Sequence, residues 1–127
     1  FSNGVGRNIK KVSFCLGAAV LLAGCATPTE LRGRQVNFAA SSMTRNADQA
    51  LACVAKGWEQ ATKQTVTISK FDKGYTAVAQ SKTLFGTNTD FVIDSGNQRT
   101  GGAVFQLWST MSKESTDQLI GIIQPCL

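Results

Sequence analysis

Thr65-Val66-Thr67-Ile68-Ser69-Lys70-Phe71, then Asp72-Lys73-Gly74, then Tyr75-Thr76-Ala77-Val78-Ala79-Gln80 is the stretch that decides the fold. Along the first run apolar and polar side chains alternate, the repeat of a half-buried strand, and its β-branched residues suit a pleated backbone. Asp-Lys-Gly is tight-turn chemistry, so the second run returns as an antiparallel partner. Asp90-Phe91-Val92-Ile93-Asp94 predicts a third strand, and Ala103 to Trp108 a fourth. The connections Ser81 to Asn88 and Ser95 to Gly102 are polar and contain glycine, and they read as loops, the second of them mobile. Strands joined in sequence by short connections favour an antiparallel meander.

On either side of the meander the period becomes helical. Ala50, Leu51, Val54, Trp58 and Ala61 form one stripe with Cys53 at its side, predicting a helix over Ala47 to Thr62. Asn46 is the expected N-cap, accepting from the N–H of Gln49, and Asp48 suits the positive end of the helix dipole. Gly57 costs this helix about 1 kcal/mol against alanine, and the expectation is that a strand approaches closely there. Beyond the meander, Ser115 and Gln118 have capping-box spacing, with Asp117 in the first turn. Leu119, Ile120, Ile122 and Ile123 follow, and Pro125 stops the helix. The fold expected is α+β: helix, four-stranded antiparallel meander, C-terminal helix, with both helices on one sheet face. The other face is then solvated or bound. Phe71, Tyr75, Phe85, Phe91, Phe105 and Trp108 are candidates for it, although most such residues belong to the core.

The N-terminal quarter has a different character. Lys10 and Lys11 precede an apolar run from Val12 to Ala23, which ends in Leu22-Ala23-Gly24-Cys25. The run is too short for a spanning helix, which needs roughly 20 apolar residues, and fits the hydrophobic region of an export signal. The tetrapeptide closely resembles the lipobox of bacterial lipoproteins. That resemblance implies cleavage between Gly24 and Cys25, diacylglycerol on the Cys25 thiol and an acylated new N-terminus. Residues 1–24 are then a removed signal peptide, 25–42 a lipidated tether containing Pro28 and Gly33, and 43–127 a single α+β domain. Val36-Asn37-Phe38 is a candidate for a short edge strand within the tether. By the sorting pattern of such lipoproteins, Ala26 after the cysteine implies the outer membrane, with the domain facing the periplasm. The chain also resembles small Gram-negative envelope lipoproteins through Cys53, Trp58, Gly74-Tyr75 and Cys126, a likeness that implies no activity.

Cysteine arithmetic follows from that leader. Cys15 departs with it and Cys25 carries lipid, leaving Cys53 and Cys126 as the two thiols in an oxidising compartment, where they should form a disulfide. The bridge would join the C-terminal helix to the first one. A metal or redox pair is the weaker reading, because the chain has no histidine and no Cys-x-x-Cys. Of 13 basic residues, Arg7, Lys10 and Lys11 lie in the leader, so the mature chain carries ten basic against eight acidic groups. These are scattered singly, which argues against nucleic-acid binding.

Chemistry is sparse. Without histidine there is no Ser-His-Asp or Cys-His constellation. Asp90 and Asp94 lie four apart, on one face of a regular strand, and are the nearest approach to paired hydrolytic carboxylates; turn-side hydrogen bonding is their commoner use. Ser95-Gly96-Asn97 and Thr100-Gly101-Gly102 lack the pattern of a phosphate-binding loop. The expectation is a non-catalytic, membrane-anchored envelope lipoprotein with no cofactor or metal. Its partners would be the lipid membrane, through acylated Cys25, and an envelope protein for which it serves as assembly factor, inhibitor or accessory subunit. The alternative is a small-ligand or peptidoglycan-binding module.

Overall fold

In the computed structural model, which describes residues 26–99 and 101–127, a five-stranded antiparallel sheet has the order β1-β5-β4-β3-β2. Its strands are β1 (Phe38–Ser42), β2 (Val66–Phe71), β3 (Gly74–Thr83), β4 (Gly86–Asn97) and β5 (Ala103–Ser109). Among the described residues three α-helices accompany them: α1 (Pro28–Arg32), α2 (Ala47–Thr62) and α3 (Lys113–Ile123), the last followed by a 3-10 turn at Gln124–Cys126. The expected cleavage at Gly24 and lipidation at Cys25 lie outside the described residues.

The α+β class and the meander β2-β3-β4-β5 stand, but the four-stranded count is corrected by β1. It pairs antiparallel with β5, Phe38 opposite Leu107 and Ser42 opposite Ala103. The expected tether is corrected with it, because residues 26–42 fold onto the sheet. Pro28 at the first helical turn and a Thr27/Glu30 capping box start α1: Thr27 Oγ1 accepts from the Glu30 N–H at 3.2 Å, and Glu30 Oε1 accepts from the Thr27 N–H at 3.0 Å. Both are readable in Thr27-Pro28-Thr29-Glu30, a signal hidden by the brevity of the segment.

The main core lies between the sheet and the two longer helices. Leu51, Val54 and Trp58 from α2 and Leu119 and Ile123 from α3 meet Phe91, Ile93 and Leu107 from the sheet, all of them buried. Each such side chain contributes roughly 1.5–3 kcal/mol of transfer free energy. Trp58 and Phe91 pack edge to face, with ring centroids 5.5 Å apart. Helix α2 has the bounds its stripe predicts, yet its start is held partly from outside: Asn97 Oδ1 accepts the Ala47 N–H at 2.7 Å, and Gln49 Oε1 accepts that of Asn46 at 3.2 Å. Helix α3 begins earlier than expected, with Ser112 as N-cap accepting from the Ser115 N–H at 3.2 Å.

The bridge between Cys53 and Cys126 is present, its Cα atoms 5.7 Å apart across a sequence separation of 73. It ties α2 to the turn that follows α3. Gly57 also serves that contact. A Cβ there would stand 2.8 Å from Ile122 Cγ2, so the element that comes close is helix α3 and not a strand.

Candidate functional site

The long helices cover one face of the sheet, and what covers the other decides where this protein can bind. Register assigns the outer face. Thr76, Asp94 and Gln106 lie in one row across β3, β4 and β5, Gly96 and Val104 in the next, and Val78, Val92 and Trp108 in the row on the other side. Phe71 pairs with Gly74 and shares this face.

Half of the face is closed by residues 26–36. Leu31 and Ala26 pack on Val92 and Trp108 in a second, smaller core, with Val36 and Val78 at its margin. The Trp108 indole N–H donates to the Arg34 carbonyl at 3.2 Å. Arg32 forms the border of the covered half. Its Nε donates to Asp94 Oδ2 at 2.8 Å and its Nη2 to Asp94 Oδ1 at 2.9 Å, while the Thr76 hydroxyl donates to Oδ1 at 2.8 Å. This forked pairing raises the pKa of Arg32 above its ordinary value, chiefly through the hydrogen bond to Asp94, with burial opposing.

The expected same-face pair of Asp90 and Asp94 is corrected. Gln80 pairs with Thr89 and Ala79 with Phe91, so Asp90 is an extra residue in β4, a bulge that breaks the alternation. Asp90 consequently turns to the helix side. Its Oδ2 accepts from Gln64 Nε2 at 2.6 Å, and its Oδ1 from Ser81 Oγ and Asn88 Nδ2, each at 3.0 Å. Gln64 in turn accepts the Trp58 indole N–H at 2.8 Å. Each carboxylate is therefore spent on structure, on opposite sides of the sheet. Among the described residues no group of three or more His, Cys, Asp or Glu is placed to hold a metal ion.

The other half of the outer face is open. Phe71, Lys73, Gly96, Val104, Gln106 and Ala39 line a shallow groove of about 560 Å³, continuous through Phe71 and Asp94 with a smaller one of about 370 Å³ beside Arg32 and Thr76. Backbone forms its floor where β2 turns into β3: a Cβ on Gly74 would run into the Ser95 carbonyl oxygen, so glycine is required there. Phe71 is 42% exposed and Val104 44%.

Of the aromatics expected as candidates for this face, Phe91 and Phe105 are core, Trp108 is on the face but covered, Tyr75 is half-buried, and Phe71 and Phe85 are exposed. Phe85 lies elsewhere. The expected loop Ser81 to Asn88 is instead a continuation of the β3–β4 hairpin, with Leu84 and Phe85 at its tip. Val104, Gly96 and Lys73 were missed as groove residues, since only the strand register shows that they converge.

No protein-family model matches this chain, and neither the curated proteins nor the solved structures give a match. Among the described residues no helix is long and apolar enough to cross a membrane.

Proposed function

We propose that this is a lipid-anchored, non-catalytic envelope protein whose domain binds a protein partner on the open half of its outer sheet face. The observation that carries the reading is the division of that face, closed by residues 26–36 on one side of Arg32 and left apolar and open on the other. A small-molecule site is usually a concave cavity that surrounds most of its ligand. The groove here is shallow, with Phe71 and Val104 accessible at once and Lys73 and Gln106 at its margin, a form suited to a protein surface with an apolar centre and polar rim. The anchor is supported by the Lys10-Lys11 and Leu22-Ala23-Gly24-Cys25 pattern, and two or more acyl chains on Cys25 give stable attachment without a spanning segment. The oxidising compartment agrees with the Cys53–Cys126 bridge. The non-catalytic reading is supported by the lack of histidine and by the structural engagement of Asp90 and Asp94.

A photo-crosslinking residue placed at Val104 in the lipidated protein, within its native envelope, should trap one stoichiometric protein partner. The same residue at Lys56 on α2 should not. Trapping of cell-wall fragments at Val104, or equal capture at both positions, would replace this reading with that of a ligand module or of no specific site.

A further inference from the structure

Leu84 and Phe85 at the tip of the β3–β4 hairpin belong to neither core. Lys82, Thr83, Leu84, Phe85, Gly86 and Thr87 are consecutive exposed residues, so the arm projects beyond both cores. At its end Leu84 is 98% exposed and Phe85 75%. The pair is held in place: Thr83 Oγ1 donates to the Gly86 carbonyl at 3.0 Å and accepts the Phe85 N–H at 3.1 Å, and Gly86 supplies a φ of 133°. An ordered turn that presents two adjacent large apolar side chains to water is suited to an occupant.

The path of residues 26–32 indicates which. Past Thr110, whose N–H still donates to the Asp90 carbonyl at 2.9 Å, the chain leaves β4, and Ala26 takes the vacated place: the Thr89 N–H donates to the Ala26 carbonyl at 2.8 Å, and Asn88 Oδ1 accepts the Ala26 N–H at 2.9 Å. Six residues later, Arg32 meets Asp94. The segment therefore runs along β4 away from the hairpin tip, with Ala26, the first described residue, at its tip-side end. Asn88 stands three residues from Phe85, roughly 10 Å along the strand. Thus Ala26, covalently next to the residue that would carry the acyl chains, and the exposed Leu-Phe pair lie toward the same end of the domain.

We infer that Leu84 and Phe85 form a second contact with the phospholipid leaflet that holds the acylated Cys25, so that the domain stands on the membrane at two points with the hairpin pointing down. The inference rests on the anchored reading proposed above. Lys82 is the sole charged residue between Ser81 and Thr89, and its sign suits an anionic leaflet. Apolar side chains beside a cation are the composition that settles at a lipid interface.

The test uses the full chain, processed in cells, purified and reconstituted in vesicles of phosphatidylethanolamine and phosphatidylglycerol containing bromine-labelled phosphatidylcholine. Phe85→Trp, and separately Leu84→Trp, adds an indole at the tip, while the native Trp58 and Trp108 are buried and serve as the reference. Bromine quenching about twofold above the parent protein is expected in both variants. Intact mass at Cys25 reads the anchor independently. Acylated protein whose tip indoles are quenched no more than the parent overturns the hairpin contact and leaves the anchor in place. A chain without acyl mass at Cys25 overturns the anchor and the two-point contact together.

Discussion

Arg32 and Asp94, 62 residues apart in sequence, meet as a two-pronged ion pair that marks where the covered half of the outer face ends. Both side chains keep some solvent contact, 36% and 22%, which moderates the pair's worth to about 1 kcal/mol. Arg32→Ala should lower unfolding free energy by about that amount and increase amide exchange at Leu31 and Thr89. Arg32→Lys should not restore protection, because an ammonium cannot fork onto both oxygens. The raised pKa of Arg32 gives the sign with pH: the contribution is whole below the unfolded value and is lost only as pH rises through the folded one. Alkaline titration to about pH 10 should leave this contact intact, as read by the same amide exchange.

Removing the bridge acts mainly on the unfolded chain. A closed loop with a separation of 73 residues corresponds to about 4 kcal/mol in the chain-entropy account. Cys53→Ser combined with Cys126→Ser should lower the unfolding free energy, read from urea titration, by up to that amount. Exchange should rise first at the C-terminal turn.

At the contact between α2 and α3, the helix propensity gained by Gly57→Ala is opposed by the overlap with Ile122. Overpacking of this kind costs about 1–3 kcal/mol, against about 1 kcal/mol of propensity. The single substitution should be neutral to destabilising. In an Ile122→Ala background the same change should stabilise, and a double-mutant cycle measured by denaturant unfolding gives the coupling.

Gln64 joins Trp58, the Gln80 carbonyl and Asp90. Gln64→Met keeps the length of the side chain and deprives the indole N–H and the carboxylate of a partner. A loss of about 2 kcal/mol is expected. The emission of Trp58 should shift, whereas that of Trp108, held by Arg34, should not.

Elements that bury a regular face were legible. The buried stripe Ala50, Leu51, Val54 and Trp58 marks α2, whereas β2, bounded nearly to the residue by alternation in residues 65–71, buries only Val66. The hairpin arm was not legible, because pairing between β3 and β4 continues past Gln80 where neither face has a core to fill, so no apolar period marks it. Helix α1 escaped for the opposite reason, and the edge strand expected at Val36-Asn37-Phe38 lies further on, at Phe38–Ser42. Each is five residues long and is held by tertiary contacts at Leu31 and along β5. As for the candidate site, Phe71 stood among the expected outer-face aromatics, but the separation of Asp90 from Asp94 depends on a bulge. One additional residue reverses the alternation, and nothing in Thr89-Asp90-Phe91 announces it.

The Cys53–Cys126 bridge also sets how the molecule bears load. A pull applied at the N-terminal end and resisted at the C-terminal end bypasses the covalent ring that contains β2, β3, β4, β5 and α3. Tension is carried by residues 26–53 alone, so α1 is peeled from the outer face and β1 from β5 while the remaining strands stay paired. The released length is bounded at roughly 95 Å of contour. For a domain held to a surface by its N-terminus, this amounts to a short extensible leash in series with an inextensible body, with the Arg32–Asp94 fork as one of its catches.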